Sequence, residues 1–190
     1  LSEMQHRVKN NFQTIISLIQ VRKQSLPGSQ GRELAEKVTN AIIAMSMAHE
    51  QLSPTRTGEV VALNVYLQAL VTSFAVTADA ISIEVVSDDI DVSIEQAVPI
   101  GLIMNELLTN SIKHAFGPKG GSIRVDLHAS AQGLARLIVS DNGKGLGSHA
   151  GAGSGLRLIR SLADQLRGEI VQNSSSAGVT TTLSFVARPR

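Results

Sequence analysis

The stretch Asn105-Glu106-Leu107-Leu108-Thr109-Asn110-Ser111-Ile112-Lys113-His114-Ala115 combines a helical apolar pattern with a carboxylate and an amide. Glu106 and Asn110 are four residues apart, so a helix presents them on one face, and Lys113 follows about one turn later. The opposite side is apolar and carries Leu102, Ile103, Leu107 and Ile112. Because polar groups on such a helix need polar partners, phosphate oxygens with Mg²⁺ are one candidate. A structural asparagine beside a partly exposed glutamate is the alternative.

A glycine-bearing turn follows the next apolar strand pattern. Asp141-Asn142-Gly143-Lys144-Gly145 comes directly after residues 137–139. Gly143 and Gly145 permit a positive φ and a close backbone approach to a ligand. Asp141, at the end of the strand, can accept a hydrogen bond from an exocyclic amine such as that of adenine. An Asx-type turn is the alternative.

A second glycine-rich segment, Gly151-Ala152-Gly153-Ser154-Gly155, precedes a helix pattern over 155–167 that ends at Gly168. Such a loop entering a helix offers free N–H groups and a favourable dipole for phosphate. It is not a Walker A loop, because no Gly-Lys-Ser/Thr follows. A flexible loop is the alternative. The order of the helix, the strand with its turn, and the loop entering a helix nevertheless favours a nucleotide pocket.

Upstream, the apolar spacing predicts helices over 1–26 and 32–52, separated by a break at Pro27-Gly28-Ser29. Two helices joined by a short turn form an antiparallel hairpin, which buries little on its own. We therefore expect a second copy to complete a four-helix bundle, which makes the chain a homodimer. The predicted domains are a dimerisation and phosphotransfer hairpin at 1–53, a linker at 54–59 and a second domain at 60–190.

The first helix carries the segment Gln5-His6-Arg7-Val8-Lys9-Asn10-Asn11. The neighbouring cations favour the neutral, nucleophilic imidazole of His6 and attract a triphosphate, so a phosphohistidine is chemically sensible. An ordinary solvated helix face is the alternative. Glu3 is the nearest carboxylate by helical spacing and could take the proton, although a surface charge near the helix start explains it equally well.

The remainder of the chain predicts an α+β fold. Helices are expected over 63–77 and 93–116, the latter capped by Ser93 and with a kink or later start at Pro99. Strands are expected over 80–86, 122–128, 134–140, 169–173 and 179–186.

Composition excludes several classes of function. The net charge of +1, the absence of Trp and the single Tyr argue against nucleic-acid binding. The absence of Cys excludes disulfides and thiolate metal sites. No apolar run approaches the ~20 residues of a membrane span, and we expect no membrane contact and a cytoplasmic location. Because the sequence begins at Leu1, we expect it to be a fragment with any sensor segment upstream.

The three pocket motifs in this order resemble the Bergerat-type (GHKL) ATP-binding domain of histidine kinases, an α/β sandwich. The segment QHRVKNNFQ resembles the phosphoacceptor box of the second HisKA-type class, close to the HWE kinases. The resemblance covers nearly the whole chain, from about residue 2 to residue 186.

The resemblance implies ATP and Mg²⁺ as cofactors and His6 as the phosphorylated residue. Glu106 and Asn110 match the N box, where Asn110 would bind Mg²⁺ and Glu106 would contact a metal-bound water or act as general base. Lys113 would meet phosphate, and His114 would lie near the nucleotide.

In the same way, the resemblance places Asp141 on the adenine amino group, with Gly143 and Gly145 shaping that wall. Gly153 and Gly155 would close on the phosphates, and Leu156 is a further nucleotide-binding candidate. The partner it implies is an aspartate on a response-regulator receiver domain, as in two-component signalling.

The sequence departs from the family pattern in several places. Arg7, rather than an acidic residue, follows His6, and the HWE tryptophan is absent. Seven residues separate Gly145 from Gly153, which implies a short ATP lid. Val179 stands where a threonine often follows the glycine of the last hairpin, with Thr180 or Thr182 as possible substitutes. Two other functions remain open: a phosphotransfer scaffold with a non-catalytic pocket, and a GHKL ATPase or serine kinase in which His6 is incidental.

Overall fold

A computed structural model of the chain describes residues 2–26, 28–55, 58–75, 80–130, 132–146 and 154–188. It begins with two antiparallel helices, α1 (Ser2–Ser25) and α2 (Gly28–Glu50), which confirms the predicted hairpin. Gly28, at a φ of 78°, adopts the left-handed conformation where the chain reverses. The register of the hairpin is marked by ion pairs between Lys9 and Glu50 at 2.9 Å and between Lys23 and Glu36 at 3.5 Å.

The predicted linker at 54–59 is not a simple connection. β1 (Leu52–Thr55) and β2 (Gly58–Ala62) pair antiparallel, with Leu52 opposite Val61, and only residues 56 and 57 of the predicted linker lie outside the described residues. The short strand β4 (Asp91–Val92) pairs with β2 and completes a three-stranded sheet. The turn-rich composition concealed these strands because their stability comes from burial of Val60 and Val61 in the folded domain.

The rest of the domain is a helical layer on a five-stranded sheet. The helical layer contains α3 (Leu63–Ala75), α4 (Ile94–Asn110) with a π-helical turn at Ser111–Ala115, and α5 (Ser154–Gln165). The sheet contains β3 (Ile81–Ser87), β5 (Gly121–Ala129), β6 (Leu134–Asp141), β7 (Glu169–Ser175) and β8 (Gly178–Val186). The strand order is β3-β5-β6-β8-β7, with β3 parallel to β5 and every other pair antiparallel. The predicted α+β class is therefore confirmed. Pro99 lies inside α4 and does not end it.

The hairpin and the sheet domain share one hydrophobic core. Ala44 and Ala48 of α2 are fully buried together with side chains of α3, α4 and the sheet. The hydroxyl of fully buried Tyr66 on α3 donates a hydrogen bond of 3.0 Å to the Ala44 carbonyl, and burial raises the pKa of this hydroxyl. A Cβ at Gly101 of α4 would collide with the Tyr66 side chain, so a glycine is needed where the three helices meet.

The end of α5 differs in detail from the sequence prediction. The helix was expected to end at Gly168, but the left-handed residue is Arg167, with a φ of 52°. Gly168 donates its N–H to the Ala163 carbonyl at 2.9 Å, and a Cβ there would collide with the Ser184 carbonyl. The glycine thus serves the close approach of β8, and a non-glycine residue carries the strained conformation. None of the helices described is long and apolar enough to span a membrane.

Candidate active site

A cavity of about 470 Å³ lies between α4, α5 and the ends of β6 and β8, and α2 contributes to its mouth. Its size is typical of a site for a small molecule. It brings together seven residues predicted from the sequence: Glu106, Asn110, His114, Asp141, Gly145, Gly155 and Leu156. These residues come from three separate motifs, so the fold assembles one site from them.

Asp141 is held in a fixed orientation at one end of the cavity. Its Oδ1 accepts hydrogen bonds from the N–H of Gly143 at 3.0 Å and of Val179 at 3.3 Å, and its Oδ2 accepts one from the Ser111 hydroxyl at 2.8 Å. A carboxylate has about four acceptor positions, so the three donors from the described residues leave room for one more. A ligand amine that reaches this end would complete the set.

The glycines of the Asp141 turn act in two different ways. Gly145 has a φ of 73°, as the sequence allowed, and a Cβ there would collide with the Ser175 carbonyl. Gly143 does not have a positive φ; its constraint is the Ala115 carbonyl, which a Cβ would strike. Gly143 lies behind the cavity wall, where its N–H orients Asp141.

The π-helical turn decides which side chains after Asn110 reach the cavity. Ser111, His114 and Ala115 line it, whereas Lys113 faces α2 and forms an ion pair with Glu36 at 2.8 Å. The hydrogen bond from Lys113 lowers the pKa of the Glu36 carboxyl. Regular helical spacing placed Lys113 near the Asn110 face, but the wider turn rotates it towards the hairpin. Lys113 instead lines a second cavity of about 340 Å³ between α2, α3 and α4.

Glu106, Asn110 and Gly155 form the other end of the cavity. Glu106 is only 6% exposed, and a Cβ at Gly155 would collide with its carboxylate. The start of α5 therefore lies directly against this carboxylate, with its backbone N–H groups nearby. Two residues of the hairpin also line this cavity: Lys37 Nζ lies 3.9 Å from Glu106 Oε1 and 3.3 Å from Glu33 Oε1.

Sequence reasoning missed several lining residues. Ser111 follows Asn110 directly, and a small hydroxyl residue on this apolar helix was its only signal. On β8, Val179 and Thr181 line the cavity, whereas the suggested Thr180 and Thr182 alternate with them and belong to the opposite face. The side chain of Gln172 on β7 donates to Thr181 Oγ1 at 3.0 Å.

Two predicted residues fall outside what the structure describes. Gly153 belongs to residues 147–153, and the His6 side chain is likewise outside the described part of the chain. The helical backbone does include position 6, near the start of α1 and three residues before Lys9, which pairs with Glu50. His6 is therefore at the end of the hairpin opposite the turn at Gly28.

Comparisons with known families cover most of the chain. Residues 3–78 match a family described as "Histidine kinase", and residues 95–189 match the "Histidine kinase-, DNA gyrase B-, and HSP90-like ATPase" family. The Blue-light-activated histidine kinase 2 of Erythrobacter litoralis is 28% identical over 97% of this chain and 56% of its own length. The Sensor histidine kinase PdtaS of Mycobacterium tuberculosis is 28% identical over 77% of this chain and 30% of its own. The chain thus spans about half of the first relative and less of the second.

Solved structures agree with the fold. The histidine kinase domain of the Erythrobacter litoralis EL346 blue-light activated histidine kinase superposes with a TM-score of 0.73 and 25% identity, over 98% of this chain and 90% of that one. The Acinetobacter baumannii histidine kinase AdeS gives a TM-score of 0.60 at 15% identity, over 94% and 98% of the two chains, which supports the fold alone.

Proposed function

Because the chain belongs to the histidine kinase family, with a nucleotide domain of the histidine kinase-, DNA gyrase B- and HSP90-like ATPases, we propose that it phosphorylates its own His6 from ATP. The observation that carries this proposal is the single cavity that unites Glu106, Asn110, Asp141 and Gly155. It has a hydrogen-bond acceptor at one end and a carboxylate, an amide and a helix start at the other. Adenine suits the first end and a triphosphate the second.

The chain's own residues fit Mg²⁺ at the phosphate end. Glu106 and Asn110 offer a carboxylate and an amide oxygen, which are hard ligands of the kind Mg²⁺ takes alongside phosphates and waters. When bound, Mg²⁺ would neutralise charge on the phosphates. Gly155 leaves space beside Glu106 that any side chain would fill.

The proposed transfer is an in-line displacement. A ring nitrogen of neutral His6 attacks the γ-phosphorus, the bond from that phosphorus to the β–γ bridging oxygen breaks, and ADP leaves with the electron pair. The imidazole then gives up its remaining excess proton, and Glu106 is the acceptor that we propose. Positioning of the two reactants supplies most of the rate enhancement.

We also propose that two copies associate through the hairpin. Apolar side chains remain exposed on both helices: Leu18 is 62% and Val21 69% exposed on α1, and Leu34 is 64% exposed on α2. The two ion pairs between the helices place Val21 of α1 level with Val38 of α2. The exposed apolar side chains of the two helices therefore lie in the same stretch of the hairpin. A second copy would cover them and form a four-helix bundle.

In the second step that we propose, the phosphoryl group passes from His6 to an aspartate on the receiver domain of a response regulator. The family relationship supports this step. Transfer from phosphohistidine to a carboxylate moves the phosphoryl group onto an oxygen and regenerates His6 for another cycle.

The test is incubation with γ-labelled Mg·ATP of the wild type, His6→Ala and Asn110→Ala. We expect acid-labile, alkali-stable label on the wild type and on neither variant, and transfer of label to a receiver domain added afterwards. ATP binding without label would favour an ATPase instead. A wild type that neither binds ATP nor takes up label would favour a phosphotransfer scaffold.

A further inference from the structure

The position of the cavity along the hairpin limits what the molecule can do in this arrangement. Lys37 lies thirteen residues before Glu50 on α2, which is about 20 Å of helix, and His6 lies about 5 Å beyond the Lys9–Glu50 pair. The cavity mouth is therefore about 24 Å from the level of His6. Reacting atoms must approach to about 3–3.5 Å, so no phosphate in this cavity reaches His6 of the same chain. In a parallel bundle, a partner's His6 would be at the same distant height.

In addition to the hydrophobic core that α2 shares with the sheet domain, two ion pairs hold the cavity at this level of the hairpin. Lys37 pairs with Glu106 at 3.9 Å, and Glu36 pairs with Lys113 at 2.8 Å, so two successive α2 residues engage the two ends of one motif on the sheet domain. The Glu106 side chain is 8% exposed and that of Lys37 30%. Solvent screens this pair less than it would an exposed one.

The Lys37–Glu106 contact also involves the carboxylate that the proposed reaction needs. The Lys37 ammonium lies beside the Glu106 oxygen that Mg²⁺ would need, so the two cations compete for the same position. Glu33 lies on the other side of the same ammonium, 3.3 Å from Lys37 Nζ. Glu33 and Glu106 therefore compete for one cation.

We infer that Lys37 is an inhibitory cation supplied by the hairpin: by pairing with Glu106 at the phosphate end of the cavity, it adds to the contacts that keep the sheet domain in a resting position from which His6 is out of reach. Phosphorylation of His6 then requires α2 to release Glu106 and the sheet domain to move along the hairpin. This inference rests on the proposed function, because it assigns Glu106 to phosphoryl transfer.

The first measurement reports on docking without nucleotide or metal. Since the sequence contains no Cys, spin labels attach only at introduced cysteines. The exposed residues Asn10 and Lys119 provide one site on the hairpin and one on the sheet domain. In protein that carries Asn10→Cys and Lys119→Cys, adding Lys37→Gln is expected to broaden the distribution of distances between the two spin labels. Lys37→Arg, which keeps the charge, is expected to leave it narrow.

The second measurement is the initial rate of His6 labelling at saturating ATP. Lys37→Gln is expected to raise it roughly three- to tenfold and to lower the half-saturating Mg²⁺ concentration, whereas Lys37→Arg stays near the wild type. Glu33→Gln is expected to slow labelling, because it removes Glu106's competitor for the ammonium. Glu36→Gln separates the two effects, since it weakens docking without touching Glu106, and it should raise the rate without changing the Mg²⁺ dependence.

Two results would overturn the inference. In one, Lys37→Gln leaves both the distances and the rate unchanged. In the other, it weakens ATP binding and slows labelling, which would make Lys37 a phosphate ligand. If the wild type never labels His6, the proposed function fails, while the nucleotide-free distances still show whether Lys37 holds the two parts together.

Discussion

Replacing Asp141 by asparagine tests how the cavity would recognise its ligand. The Asp141 carboxylate accepts from two backbone N–H groups and from the Ser111 hydroxyl, and it has about one acceptor position left. In Asp141→Asn, the amide oxygen can keep the two backbone donors, and the Ser111 hydroxyl can turn to accept from the new NH₂. At the position that would receive the adenine amine, the variant then presents an amide N–H, and two hydrogen-bond donors face each other.

Loss of one hydrogen bond to a charged group costs about 1.5–3 kcal/mol, so the Kd for ATP should rise by roughly 10- to 150-fold. The backbone hydrogen bonds survive but lose their charge assistance, which should lower the free energy of unfolding by about 1–2 kcal/mol. Guanine carries an oxygen in place of the adenine amine. Asp141→Asn should therefore lose preference for ATP over GTP as well as affinity.

The assay is calorimetric titration of both nucleotides into wild type and variant, with a denaturant melt for each. Asp126→Asn is the matched control: Asp126 is 9% exposed and pairs with Arg124 at 2.9 Å, away from the cavity, so its loss should leave the Kd for ATP unchanged. If Asp141→Asn raised the Kd for ATP and the Kd for GTP equally, the proposal that this carboxylate recognises adenine would be refuted. An unchanged Kd for ATP would refute it more directly.

Three further predictions concern stability. Arg167→Gly relieves a left-handed residue and should raise the free energy of unfolding by about 1 kcal/mol in chemical denaturation; no gain would show that the Arg167 side chain compensates its own strain. Tyr66→Phe removes the hydrogen bond from the buried Tyr66 hydroxyl to the Ala44 carbonyl and should lower the free energy of unfolding by about 1–2 kcal/mol, while Phe74→Tyr, which removes no such bond, is the comparison variant. Because Lys113 lowers the pKa of Glu36, the Glu36–Lys113 pair stabilises the fold above pH 4.5, the ordinary pKa of Glu, and this contribution disappears as the pH falls further. The melting curves of the wild type and of Glu36→Gln should therefore converge in acid, and a difference that stays constant with pH would contradict this linkage.

The sequence predicted most elements because their periodicity is strong. The apolar spacing of α4 and the run of β6 are set by burial, and burial leaves a regular trace in the chain. β1 and β2 leave little trace, because Pro54 and Gly58 dominate the composition while the pairing depends on a neighbouring strand 30 residues away.

The site shows the same limit at the level of single residues. Glu106 and Asn110 share a face in any α-helix, so their joint presence in the cavity was predictable. The orientation of Lys113 was not, because a π-helical turn of five residues changes the rotation after Asn110. The approach of Lys37 and Glu33 from α2 depends on how two parts of the chain dock, and no local pattern encodes that contact.

The meeting of α2, α3 and α4 around Tyr66 also gives the protein an optical property. The sequence contains one tyrosine and no tryptophan, so the ultraviolet emission of the whole chain comes essentially from this ring. The ring is fully enclosed, and its hydroxyl donates to a carbonyl of the hairpin. Any separation of α2 from the sheet domain would admit water to the fluorophore and change its hydrogen bonding. The tyrosine fluorescence of the unlabelled protein therefore reports that separation directly, in real time while ATP is added.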